Sequence, residues 1–317
     1  MLRRLVCSLA CLAQVDTARR WRLHARRLVP ILSLHRVHPV ANPFWSPLDP
    51  DLFDQLLAYI GRHFHVTTLS AMAMTTDRPS LILSFDDGYR DFLDYAVPLL
   101  AKHGLPANQN VIPACVESGR PPWNVAMYDF LQVAPPTLLA EMRLPGFDMP
   151  APTADADSKM RFGLALSRFL KNRQRSERAS LWAIVSEAMA RFGDVPFTPM
   201  LSATEVRQLA MTHEIGAHSF DHESMGFEDM GFFEADVAAC QRYFAETLQL
   251  PMRTYAFPNG SHRPEQIQYL QAQGISRVLL VGEGLAQPGT GVYRRLTIHG
   301  SSLDELKLRT VGYFGGA

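Results

Sequence analysis

Two adjacent carboxylates, Asp86 and Asp87, end the apolar run Leu81-Ile82-Leu83-Ser84-Phe85 and are followed by Gly88. Neighbouring carboxylates at a strand end repel each other and resist desolvation. A metal ion or a general-base role explains keeping both. A solvated turn that caps the following helix explains them equally well, since Asp is favoured there. The second chemistry-bearing stretch is His218-Ser219-Phe220-Asp221-His222, two imidazoles four residues apart. A lone His at a strand end is more often a hydrogen-bonded structural group, but two of them joined to an Asp pair reverse those odds. One Asp and two neutral imidazoles form a three-ligand set with open positions, the pattern of catalytic zinc. Such an ion lowers the pKa of bound water and polarises a carbonyl oxygen. One Asp then ligates while its neighbour takes the proton from that water, and a further His on the far side protonates the leaving group.

These residues need a frame that brings them together. Leu81–Phe85 reads as a strand buried on both faces, and Val29–Leu34 as another, ending at His35. Helical spacing of Phe92, Ala96, Leu99 and Leu100 ends at His103-Gly104, and Ala107–Ile112 is the next strand. Short strands are also expected at 214–217, 254–257, 278–281 and 293–298, with helices between most of them. Each of His35, Asp86-Asp87, His218, Asn259 and His299 then lies at the C-terminal end of a strand. Parallel α/β barrels place their sites at that end, so these side chains share one mouth. Residues 113–198 break the rhythm and read as a helical insert. Its clearest helix carries Leu181, Ile184, Val185, Ala188 and Met189 on one face. The insert's Arg and Lys residues read as a solvated helical face, or as an electropositive rim for an acidic glycan.

Formal net charge is zero, which argues against nucleic acid as the main partner. The neutrality hides a basic head: residues 1–27 hold seven Arg against Asp16 alone. This head is expected to be a separate segment, 1–28, ahead of a catalytic domain at 29–317. Two readings fit it: a basic amphipathic helix in peripheral contact with an anionic membrane, or a signal-like segment for export. The first implies a cytoplasmic, membrane-associated protein. No apolar run approaches the roughly 20 residues of a transmembrane helix. Four scattered cysteines suggest neither a disulfide framework nor a zinc ribbon.

Ser84-Phe85-Asp86-Asp87-Gly88 and His218-Ser219-Phe220-Asp221-His222, in this order, resemble the first two motifs of the polysaccharide deacetylases, the carbohydrate esterases with the chitooligosaccharide deacetylase (NodB) homology domain. The resemblance covers about residues 29–300 apart from the insert. It implies a distorted (β/α) barrel and a metal-dependent hydrolase that removes acetyl groups, most often N-acetyl, from a glycan of the exopolysaccharide, capsule or cell envelope. Asp86 is then the catalytic base, and Asp87, His218 and His222 hold a divalent metal, zinc in most of the family. Asn259 and Gly260 fall where the third motif offers a backbone N–H to the oxyanion. That motif departs from the family's pattern, with Ala256 in place of an Arg that orients the base; Arg36 and Arg295 are the alternatives. Ile31-Leu32-Ser33-Leu34-His35 resembles the first strand of a circularly permuted subgroup acting on polymers of the poly-N-acetylglucosamine type. This makes His35 the general acid, with His299 as the other option. Hydrolysis of a non-sugar C–N bond and glycan binding without turnover are the competing functions.

Overall fold

Residues 2–72 and 76–315 are described by a computed structural model. Eight strands run through it: β1 Ile31–Leu34, β2 His65–Val66, β3 Ser80–Phe85, β4 Asn108–Val111, β5 Glu214–Ala217, β6 Thr254–Ala256, β7 Arg277–Glu283 and β8 Val292–Thr297. All pair in parallel, in the order β1-β8-β7-β6-β5-β4-β3-β2. A further pairing of β1 with β3, Ile31 opposite Ile82 through Leu34 opposite Phe85, closes seven of them into a barrel. β2 stays outside as an outrigger on β3. The N-terminal strand is therefore the stave that completes the ring, and it carries His35 to the same rim as Asp86.

Parallel strands need crossovers, which the helices provide. The one before β2, Pro50–His63, starts at Asp49, whose side chain accepts from the backbone N–H of Asp51 and Leu52, with Pro50 at the first helical position. It buries Phe53, Leu56, Leu57 and Ile60 against the barrel. At its far side β4 departs from an apolar strand: Asn108, Gln109 and Asn110 are all buried. Buried amides must be hydrogen-bonded, and Asn108 and Asn110 both bond Ser84 on the neighbouring strand β3. Gly216 on β5 stands where any Cβ would collide with the Asn110 side chain.

The segment 113–198 is helical as expected, with helices at Pro113–Ser118, Trp123–Val133, Pro136–Glu141, Ala156–Lys171 and Arg175–Phe192. It has its own apolar core, including Phe130, Leu131, Phe162, Leu166, Leu170 and Val185. Lys159 ties two of its helices together, donating to the carbonyls of Gln132 and Ala134 at the end of Trp123–Val133. Phe44, from the proline-rich loop after β1, stacks on Tyr128 and joins this core to the barrel rim.

Residues 2–28 form two helices, Leu2–Leu12 and Val15–Arg26. They lie against the chain's own last helix, Leu303–Thr310. Cys7 and Leu23 are buried, Arg3 pairs with Glu305 at 2.9 Å, and Ser8 donates to Asp304 at 2.8 Å. No helix among the described residues is long and apolar enough to cross a membrane.

Candidate active site

The strand ends converge on a cavity of about 150 Å³ lined by His35, Asp86, Asp87, His218, His222 and Asn259. The turns that deliver these groups are strained. Asp87, Ser219, His222 and Asn259 all have positive φ, between 55° and 75°. Non-glycine residues adopt that region at a cost of order 1–3 kcal/mol and cluster at functional sites. Gly88 follows Asp87 at φ 78°, and a Cβ there would press on Val111.

Asp86 is almost completely buried. Both its oxygens meet the Arg295 guanidinium, Nη1 to Oδ1 at 2.8 Å and Nη2 to Oδ2 at 2.7 Å, and Asn110 donates to Oδ1 at 2.8 Å. Burial pushes this carboxyl up, but Arg295 and His218 outweigh it and hold it at about 2. Each carboxylate oxygen accepts about two hydrogen bonds. Oδ1 is full, and Oδ2 keeps one accepting direction. Of the two arginines weighed for this task, Arg295 on β8 performs it; Arg36 instead pairs with Asp91 at 2.6 Å. Sequence reading missed Asn110, whose only signal is the polar run Asn108-Gln109-Asn110 inside an otherwise apolar strand.

Asp87, His218 and His222 are buried, with one donor atom from each lying within 4.8 Å of the others. Asp87 Oδ1 lies 3.3 Å from His218 Nε2 and 3.4 Å from His222 Nε2, and it accepts no hydrogen bond. The Ala256 carbonyl lies 2.8 Å from His218 Nδ1. An N–H donated there leaves Nε2 as the lone-pair nitrogen turned to Asp87, the outer-sphere bond that orients a metal-ligating His. Burial pushes His222 down to about 3, so its imidazole is neutral and available as a ligand. On His218, burial is outweighed by Asp86 and Asp87, which raise its pKa. An orphaned buried carboxylate oxygen between two imidazole nitrogens fits a divalent metal. Asp236 braces the loop that carries both imidazoles, accepting from Ser219 Oγ, the Phe220 N–H and Tyr255 Oη.

His35 follows β1 at the same rim as Asp86, 4.9 Å from the Trp45 ring between centroids, and burial lowers its pKa. His299 does not line the cavity; Arg309 meets its Nε2 at 2.7 Å. Asn259 lines the cavity with its amide donating to Ser224 Oγ. Gly260 lies behind it at φ 68°, where a Cβ would collide with Val281. The insert completes the wall with Asn124, Tyr128 and Lys171.

Residues 174–278 match the family model described as polysaccharide deacetylase. A search of curated proteins finds no match. Among solved structures, the fold is similar to that of the Streptococcus pyogenes deacetylase PplD in complex with acetate (TM-score 0.57, 17% identity, 90% of this chain and 98% of that one). IcaB from Ammonifex degensii is similar to the same extent (TM-score 0.56, 17% identity, 90% and 97%). A de-N-acetylase from Aggregatibacter actinomycetemcomitans follows (TM-score 0.52, 12% identity, 84% and 94%). The chain thus shares a closed parallel barrel with these deacetylases, and residues 174–278 of it match the polysaccharide deacetylase model.

Proposed function

We propose that the protein hydrolyses the N-acetyl group of a sugar in an exopolysaccharide, capsule or other cell-envelope glycan, with zinc held by Asp87, His218 and His222. The observation that carries this reading is the division of labour between the paired carboxylates. Asp87 turns an unbonded oxygen to two imidazoles, whereas Asp86 is locked by Arg295 and Asn110 with one direction free. When bound, the metal polarises the acetyl carbonyl and makes water a better nucleophile at neutral pH. Asp86 Oδ2 accepts the proton of the attacking water. Arg295 keeps that carboxylate ionised and fixes its plane. His35, in the same cavity, holds a proton at the departing amine nitrogen. The backbone N–H of Asn259 faces the developing oxyanion, its position fixed by the left-handed turn into Gly260.

The cavity is small and walled by the insert, which favours one sugar at a chain end, or a small molecule, over the interior of a long polymer. The non-sugar amide reading rests on that observation alone. Arg295 removes the reason for proposing a binding protein without turnover, since the base has its orienting partner. Acetate release from N-acetylhexosamine monosaccharides and oligomers, measured with zinc loaded and quantified, tests the function. Release from the sugars supports it; no release from any of them, while small non-sugar amides are cleaved, overturns it.

Leu5, Leu9 and Leu12 recur along the free face of Leu2–Leu12 at 58%, 56% and 79% exposure, and Trp21 on the next helix is 72% exposed. Arg22, Arg26 and Arg27 flank that helix without a carboxylate partner among the described residues. We propose peripheral binding to anionic lipid on the cytoplasmic side through this surface. Co-sedimentation with phosphatidylserine vesicles that is lost on changing Leu5, Leu9 and Leu12 to Ser supports it. Equal sedimentation of both proteins refutes it.

A further inference from the structure

Lys171 is the last residue of the insert helix Ala156–Lys171, and its side chain lines the same cavity as Asp87 and His222. Its surroundings are desolvating, and Asp87 is its one charged neighbour of influence. Among the described residues it has no hydrogen-bond or ion-pair partner. Lys159, on the same helix, shows the alternative: its ammonium is spent on two backbone carbonyls.

The charge of the cavity gives this free ammonium its meaning. Asp86 is already neutralised by Arg295. Asp87 faces the two imidazoles, so a divalent ion there overcompensates its single charge. Lys171 adds a second excess positive charge a short distance away. For a neutral N-acetylated sugar this arrangement is a cost, because an unpaired ammonium loses hydration and repels the metal. It becomes favourable when the ligand brings an anion. A second observation points to the same wall. Asn124, 6% exposed, lines the same cavity as Lys171, and its Oδ1 has no hydrogen-bond partner among the described residues. Both side chains come from the insert, the part of the chain outside the barrel.

We propose that Lys171 and Asn124 form a subsite for an acidic sugar, in which the ammonium pairs with a carboxylate or phosphate substituent and the amide with a sugar hydroxyl. This rests on the deacetylase reading and narrows its substrate: the sugar that loses acetate, or the one joined to it, is acidic. The catalytic groups come from the barrel, and the insert contributes the selectivity.

The test uses the full-length, metal-loaded protein and three methyl glycosides: N-acetylglucosamine, its 6-phosphate, and N-acetylglucosaminuronic acid. Acetate release gives KM and kcat, and calorimetry gives affinity without need of turnover. A charge-assisted contact in a confined site predicts an acidic preference of roughly ten- to hundred-fold in KM. The better of the two acidic glycosides tells carboxylate from phosphate. Lys171→Met should erase the preference by raising KM for the two acidic glycosides alone, with the change in KM rather than in kcat, and Lys171→Arg should restore it. Asn124→Ala should weaken all three glycosides alike. Wild-type protein without acidic preference overturns the proposal. So does a Lys171→Met variant whose kcat falls equally on all three, since the lysine then acts at the reacting acetyl group. If wild-type protein releases acetate from none, the deacetylase reading fails. Calorimetry still decides the subsite in that event: a Lys171-dependent acidic preference upholds it, and equal affinities refute it.

Discussion

The ion pair between Asp86 and Arg295 makes a quantitative prediction, because both partners are only 1% exposed and joined by two parallel hydrogen bonds. The perturbation is Arg295→Met, which keeps the apolar length of the side chain and removes the charge. Without the guanidinium, the Asp86 carboxyl moves from about 2 to at least its ordinary 3.8, since burial alone pushes it upward. At about 1.36 kcal/mol per pH unit, this is a loss of about 2.4 kcal/mol at pH 7. Truncating one partner of a buried pair typically costs about 3–5 kcal/mol, so the expected destabilisation lies between these values. The carboxyl is depressed in the folded state, so its contribution is complete above about pH 4 and fades as pH falls toward 2. Urea denaturation at pH 7 and again at pH 4 and below measures it, with the gap between wild type and variant narrowing in acid. Activity supplies a second readout: loss of the cation raises the pKa of the base, so the acid limb of the kcat/KM profile moves to higher pH. A double variant, Arg295→Met with Asp86→Leu, removes both charges and should regain most of the stability without activity. A loss below about 1 kcal/mol in the single variant, or a double variant as unstable as both single changes added, would refute the reasoning.

Four further outcomes follow from the site and the residue that braces it. His35→Ala should lower kcat by roughly 10²–10⁴ with metal content intact, while His299→Ala stays near wild type; the reverse pattern in steady-state kinetics assigns the acid to His299. Asp87→Asn and His222→Ala should each lose the metal, read by elemental analysis. Because Asp86 and Asp87 raise the pKa of His218, metal binding must displace a proton there and should weaken as pH falls, which zinc titrations at pH 5 and pH 8 would show. Asp236 is buried and its carboxyl is pushed up to about 6, so the folded state binds a proton more tightly than the unfolded chain. Its contribution is greatest below about pH 4 and is lost as pH rises through 6, which makes Asp236→Asn stabilising at pH 8 by up to about 3 kcal/mol and neutral near pH 4. Equal denaturation midpoints for the two proteins at pH 8 would argue against it.

The barrel was legible in the sequence because its strands are short apolar runs that end in polar groups. Glu214–Ala217 falls where it was expected, and β3 and β8 within a residue or two of the expected ends. The triad was legible for a local reason: Asp86-Asp87 are adjacent, and His218 and His222 share one turn. What stayed hidden depends on register across the barrel. Asn110 looked like part of an ordinary strand, and only pairing of Ser84 with Asn108 brings its amide to Asp86. Lys171 was one of several basic residues in the insert, read as a solvated face or a basic rim. The fold divides that group: Arg178 is buried against Glu223, Arg161 is exposed, and Lys171 enters the cavity.

Arg295 shows how a missing motif residue can be replaced through topology. Ala256 on β6 stands where the motif it resembles has an Arg, and its carbonyl lies against His218 Nδ1. The guanidinium comes from β8, which reaches Asp86 only because β1 stands between β8 and β3. Leu32 is opposite both Leu296 and Leu83, and Ser33 is opposite both Thr297 and Ser84. Arg295 lies two residues before Thr297, so it points to the same side of the sheet. From there it reaches Ser84 Oγ at 3.2 Å and the Asp86 carboxylate just beyond. The strand that brings in His35 thus also fixes the distance between base and guanidinium. Shifting β1 by one residue would turn Ser33 and its neighbours to the opposite face. It would disturb the placement of His35 and the orientation of the Asp86 carboxylate together, although neither Arg295 nor Asp86 belongs to that strand.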